Sequence, residues 1–382
     1  MKIIYIANSR IPTEKAHGHQ ICQMCSEFSR LGYETELWLP TKDNNIKQDI
    51  FTYYKMEKTF KIKIIESYDF IRFDRFLFNR SYWLQSLNFS LKIMFEKIQP
   101  GDLIYTRDIL TAFMLSLRGG QVSYECHSLI KYAWLLKSLS RPIKKIIVLT
   151  QGIKNIFVSL GYKEENIIVG PDAVDIEKFD LDLTIEKARS KLSLPSEKKI
   201  LGFTGSFTTM NQDKGIKDIL LALKIISKKK DILFVAIGGN QSDINFYRQT
   251  ADDLGVGESA LFLPKVDQNI LAVYQKAFDV LLMPFPNTTH YAFYMSPLKM
   301  FEYMASQRPI VSSDLVTIRE VLNENNCLFC RSDDPVDLAL KIKIILKNPY
   351  LAKKISQQAY QDVQSYTWEK RAENIINFIN KN

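Results

Sequence analysis

Residues 296–305 read Ser296-Pro297-Leu298-Lys299-Met300-Phe301-Glu302-Tyr303-Met304-Ala305, with apolar runs on both sides, Val280–Met283 before and Pro309–Ser312 after. Serine is a good N-cap, and proline suits the first helical position because its missing N–H is one the helix leaves unpaired. The segment therefore predicts a helix opening near Ser296, between two strands. In such a unit the helix N-terminus sits at the carboxyl end of the preceding strand, where free amides favour an anion. Glu302, about a turn and a half in, is placed to accept two hydrogen bonds from vicinal hydroxyls, as a ribose offers. Its neighbours Phe301 and Met304 predict partial burial.

Outward from this unit, strands and helical patterns alternate for nearly the whole chain, which implies parallel sheets with crossover helices. The first series of strands is expected at Lys2–Ala7, Glu34–Leu39, Leu103–Tyr105, Val122–Glu125, Lys144–Leu149 and Asn166–Val169. The second is expected at Lys199–Phe203, Ile232–Ile237, Leu261–Leu263, Val280–Met283, Pro309–Ser312 and Cys327–Cys330. A polar segment, Asp180–Lys198, separates them. The expected fold is α/β, with two doubly wound Rossmann-like domains facing across a cleft: residues 1–178 and residues 179–366, followed by a C-terminal helix at about 367–382.

The length of 382 residues suits two domains. Lys and Arg total 51 against 42 Asp and Glu, a net charge of +9. The surplus is local: residues 51–150 hold 16 basic and 8 acidic residues, whereas residues 151–382 hold 29 and 28. A basic surface on one half suits an anionic partner. Thirteen of the 45 aromatics fall in Phe51–Phe95, interleaved with Lys61, Lys63, Arg72, Arg75 and Arg80. That stretch reads as core with a basic rim, and the three arginines mark a membrane or acceptor surface. Met1–Ala7 reads as a buried strand, since Asn8-Ser9-Arg10 follows too soon for a secretory leader. The uncharged stretch Val280–Leu298 contains three prolines and cannot span a bilayer as a helix. A cytoplasmic protein follows, peripheral on the inner face of the cell membrane. Of the five cysteines, Cys22 and Cys25, and Cys327 and Cys330, form two distant CxxC pairs, and with Cys126 they read as core thiols rather than a zinc site.

Two loops carry further chemistry. Gly18 lies between the first strand and the first helix, where a glycine lets backbone approach a ligand. It stands alone, so the GxGxxG fingerprint of nicotinamide enzymes is absent. Gly205-Ser206-Phe207 follows a second-series strand, and Lys214 stands just before a helix. A lysine there opposes the helix dipole, which invites an anion as the reason. The pattern GxxxxGK[ST] is not matched, which excludes a P-loop ATPase.

These residues together resemble glycosyltransferase family 4, of GT-B architecture. The resemblance is carried by Gly18, Glu125-Cys126-His127, Pro171–Phe179, Gly205, Lys214-Gly215, Ser296–Ala305, Arg308–Asp314 and Tyr366–Ala372, in the family's order. It implies transfer of a sugar from a nucleoside-diphosphate sugar to a hydroxyl of a glycan or lipid-linked acceptor, with retention of configuration, in surface polysaccharide or glycoconjugate synthesis. Glu302 matches the second glutamate of E-x7-E, which holds the ribose; the first position is Tyr294, in the donor-sugar pocket. Lys214 matches the lysine that clamps the diphosphate. The arginine expected after the loop glycine is Ser206, and Lys299 is the candidate replacement. Gly18, Gly205, Ser296, Pro297 and Leu298 complete the diphosphate surroundings. His127 matches a histidine beside the donor sugar, and Trp368 begins the last helix, which in the family crosses back to the first domain. Lys214 and His127 are thus the expected catalytic residues. The resemblance calls for no metal and no cofactor beyond the donor itself, with UDP the commoner carrier and GDP the second.

Two other classes fit parts of the sequence. A nucleotide-sugar 2-epimerase shares the fold but needs more acidic and histidine residues than the four histidines His17, His19, His127 and His290 supply. A protein gripping nucleic acid or an anionic glycan would use the basic aromatic stretch. No helix-turn-helix, RNP or zinc-finger pattern supports nucleic acid, which is not an expected partner. The departures at Tyr294 and Ser206 also admit a degenerate, inactive transferase.

Overall fold

The computed structural model describes residues 1–70, 81–127, 129, 132–209, 212–226 and 231–381, without the side chain of Tyr82. Arg72, Arg75 and Arg80 lie outside the described residues.

The chain divides into two units. Unit 1 comprises Met1–Pro171 and Trp368–Asn382, and unit 2 comprises Asp172–Thr367. The boundary precedes the expected one at 178 because the intervening residues pack on the second core. Val174 pairs with Thr367, and Val174 and Phe179 are buried in unit 2's apolar cluster. The polar segment from Asp180 belongs to unit 2 as well. Its helix Ile185–Leu192 is fixed by Arg189, which donates to three backbone carbonyls and pairs with Asp279 at 2.5 Å.

Among the described residues unit 1 holds seven strands: β1 (Lys2–Ile6), β2 (Glu34–Pro40), β3 (Lys61–Ile65), β4 (Leu103–Thr106), β5 (Gln121–Cys126), β6 (Lys145–Val148) and β7 (Ile167–Val169). They pair in the order β3-β2-β1-β4-β5-β6-β7, all parallel. β1 is buried from Ile3 to Ile6, as a central parallel strand must be. Strand β3 was not expected. Its Lys-Ile-Lys-Ile alternation was read as part of the basic rim, and it forms an edge on which Ile62 and Ile64 remain exposed. Lysines on an edge strand discourage further pairing. Helix α1 (Ala16–Arg30) follows β1 and buries Cys22, Cys25 and Phe28.

Unit 2 holds β8 (Lys199–Thr204), a short antiparallel pair β9 (Thr208–Thr209) and β10 (Gln212–Asp213), then β11 (Ile232–Gly239), β12 (Ala260–Pro264), β13 (Val280–Met283), β14 (Ile310–Ser313) and β15 (Leu328–Cys330). Its parallel sheet runs β12-β11-β8-β13-β14-β15. Helices α2 (Ile216–Ile226) and α3 (Leu298–Ala305) pack on opposite faces, each against its own apolar cluster. β8 joins β11 on one side and β13 on the other, so the strand order reverses there, the place where doubly wound sheets bind ligands. Helix α4 (Trp368–Asn380) returns to unit 1 and packs on α1, with Trp368, Ile375 and Ile376 buried.

Candidate functional site

In unit 2 the expected residues converge on the carboxyl end of β8. Gly205 follows that strand with φ of +102°, a conformation that favours glycine. A Cβ there would stand 3.3 Å from Lys299 Cε, so the missing side chain also leaves the lysine its space. Lys299 is 8% exposed, and its Nζ has no hydrogen-bond partner. The ammonium lies 3.4 Å from the centroid of the Phe203 ring and 5.5 Å from that of Phe285. A cation–π contact offsets only part of the cost of burying an ammonium. Burial, then the Lys214 charge, push the Lys299 ammonium well below the usual lysine range, against the pull of Glu302.

Lys214 donates to Ser206 Oγ at 2.7 Å, so Ser206 holds the neighbouring lysine. Burial lowers Lys214 to about 8. Glu302 lies one turn beyond Lys299 on α3. Burial lifts its carboxyl to about 7 although Lys299 and Gln275 oppose the shift. The Gln275 amide reaches Glu302 Oε2 at 3.5 Å and Thr204 Oγ1 at 3.4 Å. The Thr204 N–H donates to the Tyr303 hydroxyl at 2.8 Å, which ties α3 to the end of β8. A buried ammonium without a hydrogen-bond partner, with a second lysine and a carboxylate near it, suits an anion with a hydroxyl-bearing group attached.

Ser296 is not the cap expected of it. The helix starts at Leu298 with Pro297 as N-cap, and Ser296 Oγ instead accepts the Asp172 N–H at 2.9 Å. The proline holds an extended ψ of 121°, so the chain enters the helix one residue later than the Ser-Pro pair suggested. Leu298 is half-buried, and Tyr294 ends the short helix Thr289–Phe293. His290, in that helix, went unassigned in the sequence; burial and the Lys214 charge lower it.

In unit 1 the carboxyl ends of β1, β2, β4 and β5 carry Asn8, Lys42, Arg107 and His127. His127 Nε2 is 2.7 Å from Glu125 Oε1. Glu125 is 1% exposed and also meets Arg371 Nη2 at 2.5 Å and the Tyr105 hydroxyl at 2.6 Å. Burial alone would raise the Glu125 carboxyl, but Arg371 and His127 outweigh it and hold it well below the usual range. Burial, then Arg107, lower His127 to about 4 against the pull of Glu125. The imidazole is therefore neutral near pH 7. With Glu125 ionised, Nε2 carries the proton, and Nδ1 is left as an acceptor. Glu125-Cys126-His127 was singled out in the sequence, and Arg371, 246 residues after Glu125, lies in the Tyr366–Ala372 segment, but nothing there linked it to Glu125. Gly18 has a packing reason: a Cβ there would stand 2.1 Å from the Tyr54 hydroxyl and 2.6 Å from Thr13 Cγ2.

The cysteines are buried thiols, and no three His, Cys, Asp or Glu among the described residues are grouped to hold a metal ion. The expectation that the sequence lacks a DxD motif is corrected by one Asp-x-Asp triplet, Asp180-Leu181-Asp182. Asp180 is already engaged by Tyr360 at 2.5 Å, Lys276 at 3.6 Å and Gln307. No helix among the described residues is long and apolar enough to cross a membrane.

A D-inositol 3-phosphate glycosyltransferase of Corynebacterium urealyticum is 26% identical over 227 residues, 56% of this chain and 51% of that protein. An alpha-monoglucosyldiacylglycerol synthase of Streptococcus pneumoniae is 21% identical over 189 residues, 48% of this chain and 40% of that protein. The chain thus spans about half the length, or less, of these curated relatives. Among solved structures, Anabaena HepE in complex with UDP superposes with a TM-score of 0.74 at 15% identity, covering 99% of both chains. That likeness concerns the fold, two parallel-sheet Rossmann-like units of the GT-B class. Residues 184–362 match the family Glycosyl transferases group 1, so unit 2 carries a glycosyl transferases group 1 domain.

Proposed function

We propose that the chain is a retaining, metal-independent glycosyltransferase of family 4, moving a sugar from a nucleoside-diphosphate sugar to an acceptor hydroxyl. One observation carries the reading: a buried Lys299 ammonium without a hydrogen-bond partner, with Lys214 and Glu302 near it at the strand-order reversal of unit 2. A diphosphate supplies the missing counter-charge, and its ribose hydroxyls suit Glu302. Gly205 and Ser206 line the approach, and Ser296 and Pro297 lead into the helix start, where Leu298 and Lys299 carry its first backbone N–H groups. UDP is the expected carrier, in keeping with the UDP held by Anabaena HepE.

Charge development decides the roles. As the sugar C1–oxygen bond breaks, negative charge grows on the leaving diphosphate, where Lys214 and Lys299 stabilise it. The acceptor oxygen bonds C1 on the same face, and its proton passes to the departing phosphate oxygen. His127 is a positioning group whose Nδ1 accepts from a donor-sugar hydroxyl, and Tyr294 borders the sugar.

The acceptor is a glycan or lipid-linked hydroxyl handled by unit 1, with the protein held peripherally at an anionic cytoplasmic leaflet. Support comes from the basic surplus in residues 51–150 and from the helix Ser81–Met94. That helix exposes Trp83, Leu84, Leu87 and Leu91, and Phe95 beyond it is 88% exposed. An apolar face beside basic residues is what an interfacial helix uses.

Thermal unfolding with a panel of nucleotide sugars tests the donor reading, since a ligand of the folded state raises Tm by mass action. UDP-glucose should raise Tm in the wild type and not in Lys299→Met. No shift with any UDP or GDP compound overturns it.

A further inference from the structure

Unit 1 has its own unsatisfied cation. Arg107 stands directly after β4, between Ala7 at the end of β1 and Glu125 near the end of β5. Its Nη1 is buried with no hydrogen-bond partner, and among the described residues the guanidinium makes no ion pair. A buried guanidinium nitrogen is ordinarily paired, because its desolvation is otherwise uncompensated, although Arg107 as a whole is only half-buried.

The carboxylates nearby are committed elsewhere. Glu125 is held by Arg371, His127 and Tyr105. Asp108 accepts from Ser86, from the Asn8 amide and from the Thr111 N–H. More positive charge converges instead. Lys42, just past β2, donates to the Asn8 carbonyl and to Asn8 Oδ1 at 3.2 and 3.0 Å. His17 lies in the first turn of α1, whose opening amides no side chain caps. Burial, then Arg107, Lys15 and Lys42, lower His17 to about 4, as expected of an imidazole among cations. Burial also lowers Lys42 to about 8, although Asp69 and Asp108 oppose it.

We propose that Arg107, with Lys42 and His17, forms an anion-binding site at the carboxyl end of the unit 1 sheet that takes a phosphate or carboxylate of the acceptor. Only the word acceptor rests on the glycosyltransferase reading; the site itself rests on Arg107. Arg107 supplies a planar two-donor fork suited to either oxyanion. Lys42 adds charge on one side, and the start of α1 adds amides and its dipole.

The same chemistry could belong to a donor diphosphate, so the test separates the two. The full chain, labelled at histidine, is titrated with inorganic phosphate with and without saturating UDP, and the imidazole resonances are followed. The signals are assigned through His17→Asn and His127→Asn. Phosphate should shift His17 and His127 saturably, leave His290 unmoved, and do so equally with UDP present. Arg107→Gln should abolish the response while keeping wild-type UDP affinity and the wild-type urea unfolding transition of unit 1, the second of which shows that the unit carrying the change is folded. Lys42→Met should weaken it several-fold, and Lys299→Met should leave it intact. A response that UDP suppresses assigns the cations to the donor and overturns the proposal. So does a response that survives Arg107→Gln, or none at all. Loss of UDP binding in every arm would instead defeat the donor reading and leave the phosphate response to stand or fall alone.

Discussion

Lys214 and Glu302 set opposite limits on donor binding. Glu302 must be ionised to accept ribose hydroxyls, and its carboxyl titrates at about 7. Lys214 must be charged to meet the diphosphate, and it titrates at about 8. UDP-glucose has no proton of its own to lose in this range. Its affinity should therefore be greatest between about pH 7 and about pH 8. It should fall on the acid side as Glu302 takes up a proton and on the basic side as Lys214 loses one. Calorimetric titration across this range checks it: Glu302→Gln should flatten the acid limb and Lys214→Met the basic one. A flat wild-type profile defeats both assignments. His127→Ala should lose turnover with donor affinity within about twofold. Full turnover would remove His127 from the mechanism. At this scale the sequence was partly legible. Lys214, Lys299 and Glu302 could be picked out because a short spacing on one helix and a lysine before another fix their neighbourhood. Ser206 looked like a plain loss, and only the 2.7 Å bond shows it holding Lys214. Arg107 left no trace, because an unsatisfied guanidinium is a property of what surrounds it.

Two hydrogen-bonded ties join elements far apart in sequence, and each makes a stability prediction. In unit 2 the Tyr303 hydroxyl accepts the buried Thr204 N–H, linking α3 to β8. Tyr303→Phe leaves that amide unmet and should cost about 1–3 kcal/mol in urea unfolding of unit 2. In unit 1 Arg371 of α4 donates to Glu125 of β5 and to the carbonyls of Gly170 and Pro171. Glu125→Ala strands a buried guanidinium and should cost about 3–5 kcal/mol, read from the transition that reports unit 1. A loss under about 1 kcal/mol would show that the pair is dispensable. The strands of both sheets were readable from apolar runs, with ends shifted by a residue or two. β3 was missed because its alternating lysines hide an edge strand, and the β9–β10 pair because two-residue strands carry no period.

At the scale of the molecule the charge surplus makes its own prediction. The protein should bind vesicles containing anionic lipid, bind neutral vesicles weakly, and release as salt is raised through a few hundred millimolar. Neutralising Arg72, Arg75 and Arg80 should weaken co-sedimentation, and Leu87→Glu with Leu91→Glu should weaken it further. Binding untouched by all five changes would move the contact elsewhere.

The placement of α4 bears on the order in which the protein is made. Unit 2 is an insertion between the body of unit 1 and its closing helix. On the ribosome all of Asp172–Thr367 emerges before Arg371 does. Until then the Glu125 carboxylate lacks its strongest counter-charge, and the face of α1 that receives Trp368 stays uncovered. Unit 2 can therefore complete its fold first although its sequence is translated second, and the nascent first unit must wait, exposed to chaperones, for Trp368–Asn380.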